Sequence, residues 1–206
     1  RFFDIYIMKR QQTKKSAMEK AAMTALLEQR KSFSLQRLMH DYKEITHQEV
    51  PIPGVMALPL DDNFYEWHGN VKASTNNVYK GAVLHFKITF PKDYPLAPPK
   101  VYLLNPELKH PNVMPDRRIC LDMFEKDKGS YKGWKSGYTV LSILLQLQMF
   151  FFDIDENFLT VDNKKIIQEN VNALADFKCS QCKHRGSSNP YPDFPKITEN
   201  NTKLTQ

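Results

Sequence analysis

The stretch GAVLHFKITFPKDYPLAPPKV, residues 81–101, limits the fold more than any other part of the chain. Leu84, Phe86, Ile88 and Phe90 alternate with Val83, His85, Lys87 and Thr89. Successive side chains of an extended strand point to opposite faces, so this period predicts a half-buried strand of an antiparallel sheet. Four prolines follow within the nine positions 91–99. Each fixes φ and lacks an amide donor, so a rigid, irregular turn must leave the strand and no central strand can hold the run. The segments NFYEWHGNVKAS (63–74) and KVYLLNP (100–106) read as its neighbours, and alternation begins at Val55. Together they predict a meander of four strands.

Helical patterns flank this sheet. The segment AMEKAAMTALLEQRK (17–31) is rich in strong helix formers. In SLQRLMHDYKEITHQ (34–48), Leu35, Leu38, Met39, Tyr42 and Ile45 recur at the helical period, with Ser34 near the N-cap. Pro51, Pro53 and Gly54 end that helix. After the sheet, TVLSILLQLQMFFF (139–152) is apolar on nearly all sides, with Thr139 placed to cap its start, and predicts a buried central helix. A last helix is expected over 161–177, followed by a polar, proline-containing tail. The order of elements makes this an α+β chain, with an extension at 1–32, a core at 33–177 and a tail at 178–206.

Charge and cysteine usage exclude some classes. The formal net charge is +6, and eight basic residues stand against three acidic ones within residues 1–31. This extra basic helix lacks interleaved aromatics from residue 9 to 31, so nucleic acid is not expected as a partner. The longest apolar run, 140–152, is interrupted by Gln146 and Gln148 and falls short of the roughly 20 residues a membrane helix needs, so no membrane partner is expected. Three cysteines cannot make a disulfide framework and fit a reducing compartment, the cytosol or the nucleus.

Between the sheet and the central helix lie His110-Pro111-Asn112 and, eight residues after Asn112, Cys120 within Ile119-Cys120-Leu121-Asp122. Taken with NFYEW at 63–67, YPLAPPKV at 94–101, Trp134 and the central helix in register, this ordered set resembles the ubiquitin-conjugating enzymes over roughly residues 33–177. The resemblance implies the ubiquitin-conjugating fold: N-terminal helix, four-stranded antiparallel meander, central helix and C-terminal helix. It also implies a transferase that accepts ubiquitin, or a ubiquitin-like protein, as a thioester from an ATP-dependent activating enzyme. The acyl group then passes to a lysine amine of a protein substrate, with a RING or HECT ligase and no required cofactor. The rival is an inactive binding module of the same fold, which would typically lack the cysteine.

The same resemblance assigns residues. Cys120 carries the acyl group, as a thiolate nucleophile can. Asn112 offers its amide to the tetrahedral oxyanion or holds the loop through the backbone. His110 stands with the catalytic set mainly as a brace, with Pro111 fixing the turn. An acidic residue that helps deprotonate the incoming lysine falls on Asp153, with Asp155 beside it. Ligase contacts map to Arg37, Leu96, Ser136 and Gly137. Two departures stand out: Arg117 occupies a position where the family usually has glycine, and EKDKGSYKG (125–133) lengthens the loop after the cysteine.

The tail contains Cys179, Cys182 and His184 in FKCSQCKHRGSSNPYPDFP. Three such ligands hold most of a structural zinc site that a nearby histidine or a second chain would have to complete, a free-thiol turn reads slightly better, and a redox pair fits least because this CxxC follows a helix.

Overall fold

The computed structural model describes residues 2–195 apart from 49–50, 74–77, 107, 109, 127–132 and 153–155, with side chains described from residue 20 onward except at 156. Helix α1 (Phe2–Thr46) leads into strands β1 (Val55–Leu60), β2 (Asn63–Lys72), β3 (Val83–Thr89) and β4 (Lys100–Leu103), then α2 (Val140–Phe152) and α3 (Val161–Leu174). The four strands form one antiparallel sheet in the order β1-β2-β3-β4. This is the α+β meander that the alternation and the prolines predict.

The two expected N-terminal helices are one. Ser34 caps nothing: it lies buried inside a continuous 45-residue helix. The buried stripe is Ser34, Leu38, Asp41 and Ile45, spaced by four, three and four residues, as one helix face requires. Met39, assigned to that face from its spacing, is 45% exposed because the stripe runs through Asp41 instead. From residue 20 to 33 every side chain is exposed, so this part of the extension is a solvated continuation of the core's first helix. The boundary drawn at 32 falls inside it.

Helix α2 packs its Val140, Ile143, Leu144, Leu147 and Phe151 side into the core, while Met149 is exposed, so burial is one-sided rather than all-round. Its start is capped reciprocally: Thr139 Oγ1 accepts from the Ser142 amide at 3.3 Å, and Ser142 Oγ accepts from the Thr139 amide at 2.8 Å. Thr160 caps α3 by accepting from the Asn163 amide. No helix among the described residues is long and apolar enough to cross a membrane.

The face of β3 opposite α2 is not solvated as the alternation predicts. His85 is fully buried, and on β2 so are His68 and Asn70. The segment after α3 folds back over this outer face: Asn70 Nδ2 donates to the Pro192 carbonyl at 2.8 Å, and the Phe177 and His184 rings lie 6.1 and 4.1 Å from that of His85. Gly186 permits the approach, since its φ is +84° and a Cβ there would collide with the Ala175 carbonyl oxygen. The sheet is therefore covered on both faces.

Candidate active site

After β4 the chain turns back on itself in a small hairpin. The Met114 amide donates to the Arg118 carbonyl at 3.0 Å, and the Arg117 amide donates to the Met114 carbonyl at 2.8 Å. The three loop residues are Pro115, Asp116 and Arg117. Proline suits the first position of such a turn, the Asp116 carboxylate accepts from the Arg118 amide at 3.1 Å, and the third position takes a left-handed backbone. Arg117 adopts it at φ 65°, so the position that usually carries glycine keeps its geometry with an arginine in place. The returning limb lies along β4, with Leu103 donating to Arg117 and Ile119 donating to Val101, both at 2.9 Å. Ile119 is buried and Cys120, the next residue, is exposed. The pleat thus anchors one side chain in the core and presents the following thiol to solvent.

Asn112 meets Cys120 on the opposite limb. Its carbonyl accepts from the Cys120 amide at 3.0 Å, and its Nδ2 donates to the Cys120 carbonyl at 3.3 Å. His110 sits beneath, 7% exposed, with its ring 4.4 Å from that of Phe151 and 5.6 Å from that of Phe150. Its Nδ1 accepts from the Asn112 amide at 3.1 Å, which fixes the tautomer with the proton on Nε2, a buried atom that makes no hydrogen bond. Burial lowers the His110 pKa to about 4. A neutral ring with no exposed proton braces this loop and is poorly placed to exchange protons with a substrate. Beside the thiol lies a cleft of about 380 Å³ whose walls include Pro99, Val101, Met114, Leu121 and Phe124. Asp153 and its neighbour Asp155 lie outside the described residues, as does most of the lengthened loop, whose base is closed by the Trp134 amide donating to the Glu125 carbonyl at 2.7 Å.

The residues assigned to ligase contact come together, though not as equals. Arg37 donates to the carbonyls of Ser136, Gly137 and Tyr138 at 2.9, 3.4 and 2.7 Å and pairs with Asp41 at 2.8 Å. Asp41 also accepts from the Tyr94 hydroxyl at 2.6 Å, and Trp134 Nε1 donates to the Pro95 carbonyl at 2.6 Å. This network fastens the first helix, the proline-rich turn and the loop before α2 to one another. Its product is an outward surface of Leu96, which is 64% exposed, with Ser136 and Gly137. Arg37 builds that surface from behind.

Of the residues expected to hold zinc, the structure groups Cys179 and Cys182 with residues other than His184. Cys179 and Cys182 do converge with histidines, but these are His68 of β2 and His85 of β3. His184 Nδ1 accepts from the Tyr191 amide at 3.3 Å, so in the neutral ring Nε2 carries the proton and has no lone pair for a metal. Sequence reasoning missed His68 and His85 because His85 lies on the strand face assigned to solvent and His68, in a strand given no facing, sits on the adjacent β2. The available signal was an imidazole on each of two adjacent strands of a chain that also carries a CxxC.

The family model described as ubiquitin-conjugating enzyme matches residues 37–177. Ubiquitin-conjugating enzyme E2 G2 of Homo sapiens is 32% identical over 142 residues, covering 65% of this chain and 84% of that protein. Ubiquitin-conjugating enzyme E2 2 of Candida glabrata is 36% identical over 117 residues, covering 57% of this chain and 65% of that one. The protein of the same name from Saccharomyces cerevisiae is 35% identical over 117 residues, covering 57% and 63%.

Proposed function

The chain belongs to the ubiquitin-conjugating enzyme family, and from that premise we propose that it accepts ubiquitin, or a ubiquitin-like protein, as a thioester on Cys120 and passes it to a lysine amine. The observation that carries this reading is the exposed Cys120 thiol next to the Asn112 amide, at the rim of a cleft. In the first step the Cys120 thiolate attacks the thioester carbonyl on the activating enzyme, whose own thiolate leaves. ATP is spent by that enzyme, and the chemistry on this chain needs no cofactor. In the second step a neutral lysine amine attacks the Cys120 thioester. The oxyanion that forms takes a hydrogen bond from Asn112 Nδ2, and its collapse expels the Cys120 thiolate and leaves an isopeptide bond. The proton lost by the amine goes to water or to a carboxylate, a role we assign to Asp153 from the family resemblance.

The Leu96, Ser136 and Gly137 surface supplies an apolar anchor beside exposed backbone, which suits a ligase of the RING or HECT type. The three free cysteines favour work in a reducing compartment, the cytosol or nucleus. An inactive binding module would have no use for a thiol displayed in this way. The test incubates the protein with activating enzyme, ATP and tagged ubiquitin, then with ubiquitin-like proteins and their own activating enzymes, on nonreducing gels. An adduct that thiol reductant removes and Cys120→Ala abolishes is expected. Absence of any such adduct across all modifiers would sink the enzyme reading.

A further inference from the structure

We propose that His68 Nδ1, His85 Nε2, Cys179 Sγ and Cys182 Sγ bind one Zn²⁺ ion, and that this ion fastens the segment after α3 to the outer face of the sheet. The four atoms come from β2, β3 and the chain beyond α3, and all lie within 4.8 Å of one another. Their separations match a tetrahedral zinc. Bonds of about 2.0–2.1 Å to nitrogen and about 2.3 Å to sulfur, at tetrahedral angles, put two nitrogens about 3.3 Å apart and a nitrogen and a sulfur about 3.6 Å apart. Here His68 Nδ1 is 3.2 Å from His85 Nε2, Cys179 Sγ is 3.6 Å from His68 Nδ1, and Cys182 Sγ is 3.4 Å from His85 Nε2.

Hydrogen bonds around His85 aim its lone pair inward. Asn70 Nδ2 donates to Pro192, so Asn70 Oδ1 is an acceptor and the His85 Nδ1 within 2.8 Å of it must carry that ring's proton. His85 Nε2 is then unprotonated and faces the cluster. His68 turns Nε2 toward the Glu66 carboxylate, 3.9 Å away, and Nδ1 toward the cluster. His85 Nε2 thus turns its lone pair to His68 Nδ1 across 3.2 Å in a buried site, a spacing that one cation bound by both atoms also gives. An outer carboxamide that orients a histidine, as Asn70 orients His85, is also what a bound zinc requires of its surroundings. On the sulfur side, the Gln181 amide points to Cys179 Sγ at 3.4 Å and the His184 amide to Cys182 Sγ at 3.5 Å, as thiolates in a CxxC turn would be held. Two thiolates, two neutral imidazoles and Zn²⁺ sum to zero charge, which permits burial. The closed set of two sulfurs and two nitrogens selects zinc over magnesium or calcium and leaves no open position for catalysis.

The test uses the whole chain, expressed with added zinc and purified without chelator. Metal analysis should find one zinc per chain, retained in Cys120→Ser and His184→Gln and lost in the double variant Cys179→Ser with Cys182→Ser. Should the double variant fail to fold, cobalt exchange into the wild type gives the second reading: a tetrahedral spectrum with thiolate-to-cobalt charge transfer is expected. Thiol titration of the native protein should count one reactive thiol, rising to three when chelator is added. Folded wild type without stoichiometric zinc overturns the proposal in favour of a metal-free thiol–imidazole network. Loss of zinc in His184→Gln with retention in the double cysteine variant would also overturn it. None of these readings depends on ubiquitin transfer.

Discussion

Asn112 and Cys120 hold each other through both backbone and side chain: the Asn112 carbonyl accepts from the Cys120 amide at 3.0 Å, and the Asn112 Nδ2 donates to the Cys120 carbonyl at 3.3 Å. The first bond fixes the two limbs of the loop, so the second, longer and solvent-exposed, can be given up when an oxyanion forms beside the thiol. Asn112→Ala should therefore slow discharge to lysine by about 10²–10³-fold, the cost of losing one oxyanion donor. Charging of Cys120 should fall by far less, and stability by about 1 kcal/mol at most. Single-turnover kinetics of the two half-reactions separate the roles; an equal loss in both would make Asn112 a loop residue only.

His110 predicts how the loop responds to acid. Its pKa is held at about 4 by burial, against about 6.5 in an unfolded chain. Between these values the unfolded state binds a proton that the folded state refuses, so stability is complete above about pH 6.5 and drains away as pH falls toward 4, by up to about 3 kcal/mol. Protonation would also put a hydrogen on Nδ1 and break the bond from the Asn112 amide. Denaturant midpoints measured from pH 7.5 to 4 should show the decline, with a shallower acid limb in His110→Gln. Parallel limbs in the two proteins would remove His110 as its source.

Arg117 carries a left-handed backbone at a cost of about 1 kcal/mol or more for a residue with a Cβ. Arg117→Gly relieves that strain and loses part of the gain to unfolded-chain entropy, so thermal melting should rise by a few degrees, about 0.5 kcal/mol. Arg117→Val should move it the opposite way by at least about 1 kcal/mol, because a β-branched residue resists this conformation. A glycine variant less stable than the wild type would show that the arginine side chain contributes contacts of its own.

The surface around Leu96 separates structural from partner effects. Arg37→Ala leaves the fully buried Asp41 carboxylate with only the Tyr94 hydroxyl and the exposed His40 ring 3.6 Å away, and should cost about 3 kcal/mol in chemical denaturation. Leu96→Ala changes an exposed side chain and should leave stability within about 0.5 kcal/mol, while reducing ligase-stimulated discharge and sparing charging. If Leu96→Ala leaves ligase stimulation intact, the surface has another use.

The sheet, its order and the irregular turn were legible because alternation and proline act locally: Leu84, Phe86 and Ile88 do face the core. That His110, Asn112 and Cys120 share one loop was legible because they lie close in sequence. What lay hidden depended on distant chain. Nothing near His68 or His85 signals that residues 177–192 will cover them, so an outward strand face read as solvated. The continuity of α1 through Ser34 was hidden for a different reason: a residue that caps well also sits inside a helix when packing buries it. Arg117 shows the limit of reading conformation from residue type, since the turn imposed its φ on a side chain that does not prefer it.

The central claim, that Cys120 carries the acyl group, is tested most directly by intact mass spectrometry of the Cys120→Ser protein after incubation with activating enzyme, ATP and the modifier that charges the wild type. An oxygen ester on the introduced hydroxyl would add the mass of one modifier less one water and would resist thiol reductant while yielding to hydroxide. Wild type should show the same mass gain, removed by reductant, and Cys120→Ala none. A modifier still attached to the Cys120→Ala chain in a reductant-sensitive bond, or a wild-type chain that never gains the mass, contradicts the account.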